Sequence, residues 1–189
     1  MVSQRMFNKI KTMKMLLNIL IGVAGFIALL LILALFVKKE YTVARQIIIN
    51  KPQGEVFAYI RHLKNQEHYS KWVMADPDMK KTYRGTDGTP GFVYAWNGND
   101  KAGQGEQEIK HITENEKLEI EIRFIRPFAG VAQVPMTTET VSPTQTKVTW
   151  GMTGGNPYPL NLMHLFTDNL LGKDLEISLA TLKQVVEKN

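Results

Sequence analysis

An uninterrupted apolar run near the amino terminus constrains this chain more than any other feature. Residues 16–37 read LLNILIGVAGFIALLLILALFV and contain no charged side chain. A helix of this length rises about 33 Å, which is enough to cross a hydrocarbon core of about 30 Å. A core helix of a soluble domain would present a polar face, and this run has none. The run therefore predicts a single membrane span.

The main alternative for this run is a cleaved signal peptide. Signal peptides have an apolar region of about 7–15 residues that ends in a small-x-small cleavage site. The run in this chain is longer, and the tripeptide Ala34-Leu35-Phe36 would place a phenylalanine at the cleavage point. We therefore expect an uncleaved transmembrane helix at 16–37, preceded by a basic tail at 1–15.

The charges on the two sides of the run bear on its orientation in the membrane. The basic residues before it are Arg5, Lys9, Lys11 and Lys14, and those after it are Lys38, Lys39, Arg45 and Lys51, together with the acidic Glu40. Because Lys and Arg close to a span favour the cytoplasmic side, the amino-terminal group has a small advantage. We expect a single-pass protein whose following domain lies on the extracytoplasmic side.

The net charge of the chain, +5, is distributed unevenly. Residues 1–37 hold four basic residues and no acid, so residues 38–189 hold 19 basic and 18 acidic residues. A nucleic-acid-binding domain is expected to carry its own basic excess, so we expect no nucleic-acid partner. The chain has no cysteine, and its four histidines lack metal-ligand spacing. We therefore expect neither a bound metal nor a cofactor.

The remainder of the chain, 42–189, predicts one α+β domain. A β-branched strand at 42–50 precedes a helix to about residue 63 and a short second helix near 65–72. Six further strands are predicted at about 79–84, 91–97, 103–113, 117–125, 131–141 and 146–153, separated by turn residues. A long amphipathic helix begins near Pro159, and its apolar residues match the need of an antiparallel sheet for a covering layer.

One hairpin of this sheet allows a prediction of register. If the strands at 103–113 and 117–125 fold about Asn115-Glu116, opposed residue numbers sum to 231. This register pairs Glu114 with Lys117, Lys110 with Glu121, and Glu108 with Arg123 on one face. It also turns His111 inward among apolar residues, and a slip of one residue would exchange the two faces.

Several stretches of the domain resemble a known superfamily. They are YSKWVMADPDMKKTYRGTDG around Trp72, YAWNGNDKAGQGEQEI from Tyr94, TKVTWGMTG from Thr146 and GKDLEISLATLKQVVE from Gly172. Together with the element order, they are similar to the Bet v1/START-like superfamily, or SRPBCC, and to its bacterial polyketide cyclase/dehydrase-type members. The resemblance implies a helix-grip fold, in which a curved seven-strand antiparallel sheet surrounds a long C-terminal helix. It also implies a cavity for lipids, polyketides or other apolar ligands, without fixing a reaction.

Candidate residues for the cavity are the large apolar side chains that alternate on the predicted strands and the long helix. They are Trp72, Phe92, Tyr94, Trp96, His111, Ile120, Ile122, Phe124, Met136, Trp150, Met152, Phe166 and Leu170. Each of them fits an ordinary filled core as well as a cavity wall. His111 and Tyr94 are the candidates for an acid or base in a cyclase or dehydratase. We expect a membrane-anchored binder of an apolar molecule or lipid; the alternatives are such an enzyme and an interaction domain without a small ligand.

Overall fold

The computed structural model describes residues 2–188 and the side chains from residue 11 onward. The side chains of Arg5 and Lys9 in the predicted basic tail, and Asn189, lie outside the described residues. The first element is one continuous helix, α1 (Val2–Phe36), which includes the described backbone of that tail. Within its segment Lys11–Phe36, an 18-residue window has a mean hydropathy of 3.1 and is only 6% buried. This segment is long and apolar enough to cross a membrane, a property that it shares with signal sequences.

The elements after α1 follow the predicted order. They are β1 (Glu40–Ile49), α2 (Gln53–Ile60), a 3-10 helix (Leu63–His68), α3 (Lys71–Met74), β2 (Lys80–Arg84), β3 (Val93–Asn97), β4 (Gln104–Thr113), β5 (Lys117–Arg126), β6 (Gly130–Ser142), β7 (Gln145–Gly155), a second 3-10 helix (Leu160–Met163) and α4 (His164–Lys188). The seven strands form one antiparallel sheet in the order β1-β7-β6-β5-β4-β3-β2. The predicted α+β class, with a seven-strand antiparallel sheet and a long C-terminal helix, is confirmed.

The sheet has two ends, which differ in what they contain. At the α1 end, β1 begins and β7 ends, with Glu40 paired to Gly155, and the β5–β6 turn lies at the same edge. At the far end, β1 stops at Ile49 opposite Thr146, and the β4–β5 turn follows Thr113. Because α4 starts near α1 and runs toward the far end, each end of the sheet faces a different half of this helix.

The far half of α4 closes a solid core against the sheet and α2. Its apolar stripe repeats every three or four residues, so one helix face is buried along its length. The fully buried side chains here are Ile49, Val56, Phe57, Ile60, Leu118, Val148, Leu179 and Leu182. Polar contacts fasten the same region, since the Lys183 ammonium donates to Ile48 O at 2.7 Å and Asn50 N donates to the Glu187 carboxylate at 2.6 Å.

The predicted register of the β4–β5 hairpin is wrong. Thr113, and not Glu114, pairs with Lys117, because the turn has three residues and Asn115 adopts a positive φ of 60°. A bulge between Ile109 and His111 then shifts the pairing by one more residue. A bulge opposes two residues to one, so Lys110 and His111 both lie on the exposed face.

The outer face of this hairpin nevertheless carries the predicted kind of charge pairing, in which the ion pair of Glu108 with Arg123 is kept and the other partners differ. Arg123 donates to Glu106 at 2.8 Å, to Glu108 at 2.8 Å and to Glu121 at 2.5 Å. Hydrogen bonds from Arg123 hold the pKa of Glu106 and of Glu108 below their ordinary values. One guanidinium therefore binds the three carboxylates on the solvent side of the sheet, where they have no access to the interior.

Candidate functional site

A cavity of about 300 Å³ lies between the sheet and α4 at the α1 end. Its position follows from the strand ends that line it: Tyr41 at the start of β1, Trp96 near the end of β3, and Phe124 near the end of β5. Met152 from β7 and Leu171 from the first half of α4 complete this end of the wall.

The wall of the cavity comes from the sheet, α3, α4 and the loops between them. The lining residues are Tyr41, Gln66, Ser70, Trp72, Val73, Met79, Tyr94, Trp96, Ala102, Gln107, Ile122, Phe124, Val134, Trp150, Met152 and Leu171. No Lys, Arg, His, Asp or Glu is among these lining residues. A wall of this composition suits an uncharged ligand, since a buried charge without a partner is costly.

Seven of the residues proposed from the sequence come together on this wall. They are Trp72, Tyr94, Trp96, Ile122, Phe124, Trp150 and Met152. Two of them meet edge to face, with the ring centroids of Trp72 and Trp150 6.0 Å apart. Trp96 similarly meets Phe124 at 6.3 Å, and its Nε1 donates to Ala102 O at 3.0 Å. These contacts hold the large rings in fixed positions around the cavity.

Three other proposed residues are buried but lie outside the wall. Phe92, Ile120 and Met136 are at most 1% exposed and belong to the filled core. Phe92 stacks instead on Tyr83, with ring centroids 6.2 Å apart. The alternation along a strand shows which face is inward, but the distance of that face from α4 decides between core and cavity wall.

The structure contradicts the inward placement of His111, Phe166 and Leu170. His111 is exposed on the outer face of the sheet because of the bulge beside it. Phe166 and Leu170 are 62% and 69% exposed, because they lie on the face of α4 that points away from the sheet. The inward face at this level of α4 carries Leu171 and Gly172 instead.

Polar residues of the wall were missed by the sequence reasoning. Gln107 and Gln66 are both 4% exposed, and Gln107 Nε2 donates to Gln66 Oε1 at 2.9 Å. This amide pair links β4 to the first 3-10 helix and satisfies one polar atom of each partner. The strand alternation placed Gln107 on the inward face, but no local pattern identified Gln66 as its partner.

Two polar atoms of the wall have no hydrogen-bond partner within the described part of the chain. They are the hydroxyl of Tyr94 and Nε1 of Trp150, and both are buried. Burial raises the pKa of the Tyr94 phenol, so this hydroxyl keeps its proton throughout the physiological range. Both atoms therefore serve as hydrogen-bond donors, and an acceptor atom on a ligand would satisfy them.

An ion-pair clamp holds the first half of α4 over the cavity. Arg45 of β1 donates to both carboxylate oxygens of Asp168 at 3.1 Å and to Glu176 at 2.7 Å. Asp168 and Glu176 lie one turn before and one turn after Gly172, and a side chain at Gly172 would collide with the Arg45 guanidinium. The glycine thus permits the close approach of Arg45 to α4.

The end of α1 joins the domain beside this cavity. Asn161 is 1% exposed, and its Nδ2 donates to Ala34 O and to Val37 O at 2.7 Å each. His164 Nδ1 donates to Lys38 O at 3.0 Å, and its ring meets the Tyr41 ring at 5.1 Å. Because Tyr41 also lines the cavity, this one side chain connects the cavity wall to the junction with α1.

Comparison with solved structures identifies the architecture. Norcoclaurine synthase from Thalictrum flavum aligns over 79% of this chain and 95% of its own, with a TM-score of 0.63 and 6% identity. Ara h 8.0201, a Bet v1-type allergen, aligns over 79% and 99% at TM-score 0.53 and 15% identity. A Chromobacterium violaceum protein aligns over 78% and 98% at TM-score 0.57 and 11% identity.

This chain has the Bet v1/START-like fold. The predicted helix-grip architecture is therefore confirmed at the level of the fold. No protein-family model and no curated protein matches the sequence. At these low identities the helix-grip likeness concerns architecture alone, so ligand and activity have to be argued from the cavity itself.

Proposed function

We propose that this protein is a membrane-anchored binder of an uncharged, mainly apolar small molecule or lipid. The observation that carries this proposal is the composition of the cavity wall, which combines large apolar side chains with the unpartnered donors of Tyr94 and Trp150. Burial of the apolar part of the ligand would drive binding, and the two donors would orient an acceptor group. The helix-grip fold and the long apolar helix α1 support the same function.

The volume of the cavity bears on the size of the ligand. About 300 Å³ is at the lower end of the range for small-molecule sites, about 300–1,000 Å³. Norcoclaurine synthase, which has the same fold, has been solved in complex with dopamine and hydroxybenzaldehyde. We propose a ligand with a compact ring system or a single chain segment inside the cavity, carrying a carbonyl, ether or hydroxyl oxygen near Tyr94.

Catalysis by a cyclase or dehydratase mechanism receives less support from the same cavity. The acid or base proposed at His111 lies on the outer face of the sheet. Tyr94 lines the cavity, but burial raises the pKa of its hydroxyl, so it stays protonated near neutral pH and is unsuited to act as a base. His111 is therefore not placed to transfer a proton in the cavity. Tyr94 suits a hydrogen-bond donor that orients a ligand better than a group that transfers protons.

Native mass spectrometry of the full chain, purified in detergent, tests the binding function. We expect a co-purified apolar molecule, identified after organic extraction. Ala102 lines the cavity, so Ala102→Phe should fill it and remove the bound mass. Ala44→Phe adds the same side chain at an exposed position of β1 and should leave the bound mass unchanged. An empty wild-type protein whose melting temperature responds to no lipid or polyketide would refute the proposal.

We further propose that α1 crosses the bilayer with the domain on the extracytoplasmic side. The support is that the four basic residues before the span are accompanied by no acidic residue, whereas the four after it extend to Lys51 and have Glu40 among them. A pair of reporters fused after the last residue, one active only in the cytoplasm and one only outside it, decides the orientation. Activity of the cytoplasmic reporter alone would reverse this assignment without affecting the proposed ligand.

A further inference from the structure

Large apolar side chains are exposed in the β5–β6 hairpin at the α1 end of the sheet. Ile125 is 56% exposed, Phe128 65% and Val131 53%. Phe128 lies in the turn between the two strands, and the other two residues lie at its base. A turn in contact with water alone is usually polar, so an apolar tip of this kind indicates a contact with a nonaqueous partner.

A second exposed apolar surface lies at the start of α4, which is at the same end of the domain. Met163, Phe166 and Leu170 are 54%, 62% and 69% exposed on the outward face of the helix. The outward face becomes more polar further along α4, since Lys173, Gln184 and Lys188 are exposed there. The most exposed apolar side chains of this face therefore lie in the half that is close to α1, whereas Ile177 further along is 41% exposed.

Both surfaces are at the end of the domain where α1 arrives. Asn161 immediately precedes the second surface. As described above, its side chain donates to Ala34 O in the last turn of α1 and to Val37 O just after that helix. Phe36 in the last turn of α1 is 83% exposed, and Lys38 and Lys39 follow it on the surface. The apolar helix corresponds to the acyl chains of a bilayer, and the lysine pair that follows it corresponds to the lipid phosphate groups. The two apolar surfaces lie beside this junction, where the bilayer interface would be.

We propose that these two surfaces rest in the interface of the bilayer that α1 crosses, so that the cavity faces the lipid. The inference goes beyond ligand binding and rests on the proposed span of α1. Surfaces with an apolar face insert about 5–10 Å into the boundary between headgroups and acyl chains. Because Tyr41, Phe124 and Leu171 line the cavity beside these surfaces, an apolar ligand passes between membrane and cavity without crossing water.

Depth-dependent quenching in vesicles tests this docking on the full chain. The sequence has no cysteine, so single variants Phe128→Cys and Phe166→Cys each accept one environment-sensitive fluorophore. Val141→Cys is the matched control, because Val141 is an apolar residue that is 50% exposed near the far end of the sheet. Leu29→Cys, at a 52% exposed position of α1, reports on the span itself. The vesicles are phosphatidylcholine with nitroxide groups on the upper acyl chain.

We expect several-fold stronger quenching at positions 128 and 166 than at position 141, together with strong quenching at position 29. Quenching at 29 with water-like signals at 128, 166 and 141 would overturn docking and leave the proposed span intact. Quenching at only one of 128 and 166 would also overturn it, since both surfaces are required. No quenching at position 29 would overturn the span and docking together. Near-ultraviolet circular dichroism of each labelled variant confirms that the compared proteins are folded.

Discussion

The two ends of the sheet use the same elements, β1, β7 and α4, with opposite results. At the far end, the space under α4 is filled by aliphatic side chains such as Ile49, Val148 and Leu182, all of which are fully buried. At the α1 end, the corresponding space is bounded by Tyr41, Phe124 and other partly exposed rings and holds a cavity. The comparison indicates that the far half of the interface supplies stability, which allows the other half to remain open.

The attachment of α4 changes along its length in the same way. The far half is attached by a stripe of buried leucines and Val186. The first half has fewer buried apolar side chains, Leu175 among them, and adds polar contacts in which Arg45 binds Asp168 and Glu176 and Lys71 of α3 binds Asp174. Exposed ion pairs contribute little free energy compared with apolar burial. We therefore expect the first half of α4 to be the part that moves to admit a ligand.

The largest expected difference between the two ends concerns stability. Leu182 and Leu171 are the same residue type on the same helix, but the first is 0% exposed in solid core and the second lines the cavity. Leu182→Ala should lower the free energy of unfolding by about 2–5 kcal/mol, because it opens a new cavity in packed surroundings. Leu171→Ala should cost clearly less, because part of its surroundings is already open.

Denaturant unfolding of the full chain in detergent micelles, followed by tryptophan fluorescence, measures both leucine variants. Equal losses at the two positions would contradict the division into a stabilising end and an open end. A larger loss for Leu171→Ala would reverse it.

Ligand affinity gives the next largest expected effect, and it is confined to the open end. Tyr94→Phe removes one unpartnered donor from the wall, which should weaken binding of the co-purified ligand roughly 2- to 10-fold. The stability of the ligand-free protein should be unchanged or slightly higher, since a buried polar atom without a partner is removed. Titration calorimetry and thermal unfolding measure the two quantities.

Tyr83→Phe is the control for this variant, because the Tyr83 hydroxyl donates to Glu67 on the exterior at 2.9 Å. It should leave the affinity unchanged. If Tyr94→Phe binds the ligand as tightly as the wild type, the hydroxyl does not contact the ligand, and the proposed orientation fails.

The order of the secondary-structure elements was easier to predict from the sequence than the residues of the cavity wall. Strands, turns and helices follow from local periodicity, and the helix-grip order follows from their succession. The apolar residues of α4 form two stripes at spacings of three and four, one through Phe166 and Leu170 and one through Leu171, Leu175 and Leu179. Periodicity alone gave both stripes the same inward direction, whereas only the second faces the sheet.

The remaining errors concern features that local sequence patterns do not show. The bulge at Lys110 adds one residue to β4 and turns His111 outward, and no composition signal distinguishes it from a regular strand. The Gln66–Gln107 pair depends on two elements that meet only in the folded state. The strand residues that face inward were predictable from the sequence. The space between these residues and α4 depends on how the helix is attached to the sheet, and Arg45 is part of that attachment.

The rate of local opening should also differ between the two halves of α4, and this effect should be smaller than the effects on stability and ligand affinity. Arg45→Met keeps the length of the side chain but removes its bonds to Asp168 and Glu176. We expect faster amide hydrogen exchange at 164–172 and little change in the thermal midpoint. Lys183→Met removes the polar contacts at the far half, where buried leucines remain, and should leave exchange of its turn nearly unchanged. Equal acceleration in both halves would contradict the proposed difference in attachment.

Acid pH should produce the smallest effect, and its sign follows from the Arg45 clamp. The hydrogen bond from Arg45 holds the pKa of Asp168 below its ordinary value of 3.8. A carboxylate whose pKa is lowered on folding contributes stability above the unfolded value, and this contribution is lost as the pH falls through the lowered value. The difference in exchange at 164–172 between wild type and Arg45→Met should therefore be full at neutral pH and shrink below pH 3.8. Other carboxylates titrate in both proteins and largely cancel in this difference. A difference that stays constant down to pH 2 would show that the Asp168 carboxylate has no part in holding α4 over the cavity.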